Sequence, residues 1–190
     1  MAEQWKPTNP DFPELATKWT AFHFIENDKE TGHMQEFPEV RRVRDYFKCP
    51  VDELMFYAVH PGTKLQPHRD MSANLLVGKL RLHIPIITNQ QIEFVVDGQR
   101  LVMGEGELWA LDTSYVHSVY NPSDQIRIHC VVQVFANDWV WSLLPKKSIL
   151  YYRHALCFWA VASFKGIEKL VKDPQFILRN IRALVRKPKA

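Results

Sequence analysis

Hydrophobic and polar residues alternate over most of the stretch from about residue 52 to residue 135, and this alternation predicts β-strands. The longest predicted strands are ELMFYAVH at 53–60, KLRLHIPIIT at 79–88 and QIRIHCVVQVF at 125–135, and the last two show the alternation. Shorter candidate strands are KLQPH, GEGELWALD and HSVYN. Many short strands separated by turns, without helices between them, indicate an antiparallel sandwich or barrel.

The sequence also predicts a turn between two of the strands and a helix before the first of them. In QIEFVVDGQRLVM at 91–103, the pair Asp97-Gly98 suits the positive φ angles of a two-residue turn, so this segment is predicted to be a hairpin. Before Pro50, the sequence EVRRVRDYFK predicts one amphipathic helix. Its apolar residues recur at helical spacing: Val40, Val43, Tyr46 and Phe47.

The pattern divides the chain into three regions. Residues 1–24, with three prolines, are predicted to be irregular, and together with the helix they form an N-terminal segment, 1–50, that packs on the barrel. The β-strands occupy a core at 51–138. Residues 139–190 carry an apolar stripe at helical spacing (Ile177, Ile181, Leu184 and Val185), which predicts a C-terminal helical segment.

The composition excludes several classes of protein but does not indicate a function. The chain has 190 residues, 46% apolar and 24% charged, which is typical of one globular domain with an appendage. Three widely spaced cysteines, without a CxxC pair, form no disulfide framework or zinc-finger spacing. The N-terminus has no signal-peptide pattern, and the most apolar stretch, at 155–164, is shorter than the roughly 20 residues that span a bilayer. We therefore expect a cytoplasmic protein without a transmembrane segment.

Charge is distributed unevenly. Residues 145–190 carry eleven Lys and Arg against two acidic residues, a net charge of +9 in a chain whose total is +3, so residues 1–144 hold a net charge of −6. The basic segment is either a solvated helical face that caps the barrel or a handle for an acidic partner. Such a partner would be an acidic peptide or protein substrate or a membrane surface; nucleic acid is disfavoured.

Two of the predicted strands share an Arg-x-His pattern. Arg81 and His83 lie on one face of the strand at 79–88, and Arg127, His129 and Gln133 lie on one face of the strand at 125–135, opposite the apolar residues. Polar faces of antiparallel sheets often contact solvent. Two copies of Arg-x-His favour instead a lumen whose polar side chains bind an anion.

A candidate metal-ligand set follows the strand at 64–68. His68 and Asp70 are two residues apart, so they point to the same side of an extended chain, and His117 directly precedes a later strand. Two histidines and one carboxylate form the facial triad of non-haem Fe(II) oxygenases, which leaves open positions for O₂ and substrate. The alternative is two unrelated surface histidines, because His-x-Asp alone is a weak signal.

Arg127 makes the combination more specific. It follows His117 by ten residues, on the next predicted strand, and would point into the same barrel. A 2-oxoglutarate cosubstrate chelates iron with its keto-acid end and needs a cation for its far carboxylate, for which the planar fork of arginine is suited. The alternative role for Arg127 is an exposed strand residue.

Here the sequence resembles the aspartyl/asparaginyl β-hydroxylase family of Fe(II)- and 2-oxoglutarate-dependent oxygenases. The resemblance covers roughly 54–137 and is carried by HPGTKLQPHRD, RLHIPI, WALDTSYVHSVYN and IRIHCVV. It implies a mainly β fold, the double-stranded β-helix or cupin-like jelly roll. It also implies an iron site at His68, Asp70 and His117, and cosubstrate contacts from Arg127, Arg81 and His83.

The implied activity is hydroxylation of an unactivated carbon of an amino acid, free or in a peptide or protein, commonly the β-carbon of Asp or Asn. Fe(II), 2-oxoglutarate and O₂ would be required. Two alternatives stay open. One is a non-catalytic cupin that binds a ligand or partner; the other is a metal-dependent cupin enzyme that does not use 2-oxoglutarate. Arg127 separates them from the first hypothesis, which alone needs a carboxylate clamp.

Overall fold

The structure, a computed structural model, describes residues 5–7, 17–71, 73–144, 155–160 and 162–163. The chain divides into two compact units, 1–144 and 145–190. Residues 155–160 and 162–163 of the second unit are helical, and the other predicted helical positions after 144 lie outside the described residues. Within the described part of the chain, no helix is long and apolar enough to cross a membrane.

Two antiparallel sheets form the first unit. The large sheet has the strand order β1-β2-β4-β11-β6-β9, with β3 paired to β2, and the small sheet has the order β5-β10-β7-β8. Their bounds are β1 Lys6–Pro7, β2 Trp19–Glu26, β3 Lys29–Glu30, β4 Val51–Val59, β5 Lys64–His68, β6 Lys79–Ile87, β7 Glu93–Val96, β8 Gln99–Leu101, β9 Trp109–Leu111, β10 His117–Tyr120 and β11 Arg127–Phe135. The helices are α1 Pro38–Tyr46 and α2 Asp138–Leu143, with short 3₁₀ turns at Gly32–Gln35 and Leu75–Val77. The predicted mainly β, antiparallel fold is confirmed.

The predicted hairpin and helix are also present. Asp97 and Gly98 have φ angles of 49° and 77° between β7 and β8, as a two-residue turn requires. The helix α1 begins at Pro38, whose fixed φ and missing N–H suit the first helical turn.

The irregular conformation predicted for 1–24 is wrong for its last part. β2 is a full strand that pairs with β4 along most of its length. The reason is its composition, because aromatic and β-branched residues in WTAFHFIE fit a pleated, half-buried surface. Phe22 and Phe24, at 6% and 0% exposure, belong to the main hydrophobic cluster.

The main hydrophobic cluster lies on the apolar face of the large sheet. Leu80 and Leu82 of β6 and Val132 of β11 belong to it, together with Val40 of α1 and Phe47. Because side chains alternate along a strand, the Arg-x-His residues point to the opposite face, toward the small sheet.

The predicted separation of the two faces is therefore found, and the polar face does not contact solvent. Arg127, His129 and Gln133 are 3%, 1% and 5% exposed. Burying this many polar groups is costly unless they bind one another or a ligand. The interior between the two sheets is therefore a candidate ligand-binding site.

Candidate functional site

The structure brings the three predicted metal ligands together. His68 ends β5 and His117 begins β10, and the two residues are opposite each other in the small sheet. Asp70 follows two residues after His68. One ligand atom from each residue lies within 4.8 Å of the others. The Nε2 atoms of His68 and His117 lie 3.7 and 3.9 Å from the Asp70 carboxylate oxygens.

Backbone carbonyls fix the tautomer of both histidines. The Nδ1 of His68 lies 2.7 Å from the Gln66 carbonyl, and the Nδ1 of His117 lies 3.0 Å from the Tyr115 carbonyl. A carbonyl only accepts hydrogen bonds, so each Nδ1 carries a proton, and Nε2, on the side of Asp70, is the ring nitrogen left to bind a metal. Burial lowers the pKa of His117, which keeps it in the neutral form that binds metals.

A chain of hydrogen bonds holds the Asp70 carboxylate. Arg81 donates through Nη1 to Asp70 Oδ2 and through Nη2 to Gln133 Oε1, at 3.0 Å. Gln133 Nε2 donates to Asp52 Oδ2 at 2.6 Å, and Lys79 Nζ donates to the same oxygen at 2.6 Å. We call this series, Asp70–Arg81–Gln133–Asp52–Lys79, the carboxylate support. It orients Asp70 from the large sheet, although Asp70 follows a strand of the small one.

The loop that carries Asp70 is tied down as well. Its backbone N–H donates to the Thr113 carbonyl at 2.9 Å, and its carbonyl accepts from the Asn74 side chain at 2.5 Å. The neighbouring Arg69 donates to the Ser114 carbonyl at 2.5 Å. The bonds to Thr113 and Ser114 join the loop after β5, which carries Asp70, to the loop before β10, which leads to His117.

Arg127 is a buried cation without an anionic partner among the described residues. Within the described ranges, no carboxylate lies within 4.0 Å of its guanidinium, and its Nε–H has no hydrogen-bond acceptor. Its neighbours are the Nδ1 of His129, 3.0 Å from Nη2, and the Phe94 ring, whose centroid is 5.5 Å away. Burial lowers the pKa of Arg127 to about 9, so it stays protonated at neutral pH. An unpaired charge in this position is suited to an anionic ligand.

The sequence pattern predicted that His129 shares a polar, anion-binding face with Arg127, and the structure shows which of its atoms is left without a partner. Arginine can only donate, so His129 Nδ1 accepts from Arg127 and His129 Nε2 carries the proton. That Nε2–H is buried and has no partner. His83 Nδ1 lies 3.4 Å from the same His129 nitrogen, and burial followed by the charge of Arg127 lowers the pKa of both histidines. Its position two residues after Arg127 was the available signal, because both residues share one strand face.

The arrangement defines a class of protein: a cupin-type antiparallel fold with a candidate metal centre and a buried arginine, Arg127, in its interior. The chain belongs to the aspartyl/asparaginyl β-hydroxylase family, whose model matches residues 2–137. This confirms the resemblance found in the motifs and identifies the protein as a member of a cupin-fold oxygenase family. The match also extends to the N-terminal segment, which the motif resemblance at 54–137 did not reach.

Solved structures resemble the fold more distantly. KdgF from Halomonas sp. is 8% identical, with a TM-score of 0.41, over 74% of this chain and 90% of that one. A predicted oxalate decarboxylase from Thermotoga maritima is 11% identical, with a TM-score of 0.39, over 62% and 81%. A Cupin 2 conserved barrel domain protein from Salinispora arenicola is 22% identical, with a TM-score of 0.34, over 47% and 67%. Likenesses at this level concern the fold alone.

Proposed function

We propose that this protein is an Fe(II)- and 2-oxoglutarate-dependent oxygenase that hydroxylates an unactivated carbon of an amino acid or amino-acid residue. The observation that carries the proposal is Arg127, an unpaired cation buried in the same interior as the candidate metal ligands. A non-catalytic cupin, or a metal-dependent one with a neutral substrate, has no need for such a cation.

The ligand set fits Fe(II). His68 and His117 each offer an Nε2 atom and Asp70 a carboxylate, which is the mixture of ligands typical of non-haem iron oxygenases. Bound Fe(II) would supply the activation of O₂. The protein's contribution is to fix the two imidazoles through backbone carbonyls and the carboxylate through Arg81.

The anion site fits the far carboxylate of 2-oxoglutarate. Arg127 Nε–H and His129 Nε2–H are two buried donors without an acceptor, and a carboxylate would supply acceptors for both. His83 lies beside them. The low exposure of all three residues keeps competing water out and strengthens each charge-assisted bond.

Arg81 has two roles in this proposal, one toward the metal ligand Asp70 and one toward the cosubstrate. Its two terminal nitrogens are engaged by Asp70 and Gln133, whereas its buried Nε–H has no partner. That remaining donor is available to the cosubstrate contact which the family resemblance implies. Arg81 therefore positions the metal carboxylate and keeps one N–H for the ligand.

The substrate within this proposal is an Asp or Asn residue, or a related amino acid, oxidised at the β-carbon. Family membership supports small-molecule or protein substrates. The cytoplasmic location stays a prediction, and the basic residues assigned to an acidic partner lie mostly outside the described residues.

The test is formation of succinate. Purified protein with Fe(II), 2-oxoglutarate and O₂ should release succinate and CO₂ slowly on its own and faster with a substrate. His117→Ala, which removes a metal ligand, is the matched negative control. A folded protein that binds Fe(II) but forms no more succinate than this variant would favour a cupin that does not use 2-oxoglutarate.

A further inference from the structure

The buried donors Arg127 and His129 lie beside a small cavity with apolar walls. These walls include residues in and next to the β7–β8 hairpin: Ile92, Phe94, Leu101 and Met103. The space left in the cavity is about 10 Å³, which is about the room that one water molecule needs. A ligand atom that reaches the two donors therefore has little room to extend past them.

Strand register places Arg127 at a defined distance from the metal ligands. His117 is opposite Val96 of β7, and Phe94 lies two residues before Val96. Two residues of an antiparallel strand cover about 6.8 Å. The guanidinium carbon of Arg127 lies 5.5 Å from the centroid of the Phe94 ring. Arg127 thus contacts the small sheet one inward-facing position away from the level of His117.

Ile92 comes next in the same direction. Ile92 and Phe94 are 6% and 4% exposed, whereas Glu93 between them is exposed. Because side chains alternate along an extended chain, Ile92 lies on the same face as Phe94 and one step further from the metal ligands.

Met103 reaches the same place from the other strand of the hairpin. Phe94 is opposite Leu101 in the β7–β8 pair, and continuing this antiparallel register by two residues brings Met103 beside Ile92. Met103 is buried and packs in the same hydrophobic cluster as Phe94. Ile92 and Met103 therefore form one wall, which closes the cavity beyond the two donors.

We propose that Ile92 and Met103 limit the length of the cosubstrate, so that the protein accepts five-carbon 2-oxoglutarate and rejects its six-carbon homologue, 2-oxoadipate. With its far carboxylate on Arg127, 2-oxoglutarate would place one oxygen in the water-sized space. One more methylene would push the carboxylate into the wall, and overpacking a close-packed interior is destabilising. This inference rests on the proposed function, since it assumes that 2-oxoglutarate binds to Arg127.

The experiment measures binding rather than turnover. Iron-loaded protein is titrated anaerobically in a calorimeter with 2-oxoglutarate and, separately, with 2-oxoadipate. The ratio of the two Kd values reports the length preference. We expect 2-oxoadipate to bind the wild-type protein roughly ten- to a hundredfold more weakly, which is the fold-change expected for inserting one methylene into a packed interior.

Variants then assign the preference to the wall. Met103→Ala should reduce the ratio about tenfold, because the cavity that it leaves accommodates the extra methylene. Met103→Leu keeps the side-chain volume and should preserve the preference. Ile92→Val removes a single methylene and should lower the ratio by a smaller factor, which keeps the test decisive if Met103→Ala does not fold.

Met34→Ala is the matched control. It makes the same substitution at a fully buried position of the main hydrophobic cluster, on the opposite face of the large sheet, and should leave the ratio unchanged. A loss of preference in this variant as well would show that general destabilisation, and not the wall, sets the ratio.

The outcomes separate this inference from the proposed function. A wild-type protein that binds Fe(II) but neither diacid would overturn the proposed function and the length limit with it. A wild-type protein that binds both diacids equally well would overturn the length limit alone. If the wild-type protein discriminates but Met103→Ala and Ile92→Val keep its ratio, the assignment to these two residues is wrong.

Discussion

At the scale of single residues, the interior is defined by polar atoms that the fold leaves without partners. Arg127 and His129 each bury an N–H that has no acceptor in the described residues. An unsatisfied buried donor costs about 1–3 kcal/mol, more when it is charged, so such groups persist where a ligand completes them. In the proposed function, one anion supplies the acceptor for both donors.

The first prediction concerns His129. Replacing it by Phe removes the Nε2–H and should raise the KM for 2-oxoglutarate about tenfold or more, because a hydrogen bond to a charged group is lost. His129→Gln keeps an N–H donor and should restore part of the affinity. Steady-state kinetics with varied 2-oxoglutarate makes the measurement.

A structural role for His129 would give a different result. Both variants would then lower thermal stability and kcat together, and Gln would rescue no better than Phe. Fe(II) affinity, measured in parallel, reports on the metal site separately, since His129 lies outside the ligand set.

At the scale of elements, β11 links the two halves of the interior. Arg127 and His129 lie near its beginning and Gln133 near its end, all on the polar face, whereas Cys130, Val132 and other apolar residues pack into the core behind it. One strand therefore holds the two residues proposed to bind an anion and also orients the Asp70 carboxylate through Gln133 and Arg81.

The second prediction tests the carboxylate support. Gln133→Leu removes both the acceptor for Arg81 and the donor to Asp52. Residues that orient metal ligands typically contribute about 10–100-fold to metal affinity, so we expect a loss in that range. Calorimetric titration with Co(II), a spectroscopic substitute for Fe(II), gives the affinity, and the Co(II) absorption spectrum reports the change in ligand geometry.

Gln99→Leu serves as the control, because it makes the same substitution at an exposed position of β8. If Gln133→Leu and Gln99→Leu bind Co(II) with the same affinity and the same spectrum, then Asp70 does not depend on the support.

The third prediction concerns β2, which the sequence did not predict. Phe24 is fully buried and packs against three other aromatic rings, those of Phe22, Phe37 and Phe56. Phe24→Ala should lower the free energy of unfolding by about 3–5 kcal/mol, as measured by urea denaturation. Tyr46→Ala, at 66% exposure, should change it by less than about 0.5 kcal/mol. A small effect of Phe24→Ala would mean that β2 is not part of the core.

Several parts of the site were predictable because they depend on local patterns. His68 and Asp70 follow from period-two geometry, and the hairpin at Asp97 and Gly98 from turn chemistry. The carboxylate support was not predictable, since Gln133 and Asp52 are 81 positions apart and meet only through strand pairing. β2 was not predictable because a stretch with three prolines lies only a few residues before it, and the burial of its aromatic residues depends on pairing with β4.

At the scale of the whole molecule, the buried histidines make stability depend on pH. Burial lowers the pKa of both His83 and His129, so both are neutral in the folded protein. Unfolded histidines titrate near about 6.5, and below that pH the unfolded chain binds protons that the folded one does not. Stability should therefore be constant above neutrality and fall as the pH drops below about 6.5.

The fourth prediction gives this dependence a magnitude. Each such histidine contributes a slope of up to about 1.4 kcal/mol per pH unit in that range. His129→Gln should reduce the slope of the metal-free protein by about that amount in urea denaturation at a series of pH values. A stability that rises as the pH falls, or an unchanged slope in His129→Gln, would show that this histidine is not held neutral.

The binding of 2-oxoglutarate to the iron-loaded protein under anaerobic conditions tests the central claim most directly. Calorimetric titration should give one cosubstrate per chain, in a complex that needs Fe(II). Arg127→Ala should weaken binding roughly ten- to over a hundredfold, and Arg127→Lys should restore only part of it, because lysine keeps the charge and loses the fork. Binding that is absent in the wild-type protein, or equally tight in Arg127→Ala, would contradict the assignment of this interior as a 2-oxoglutarate site.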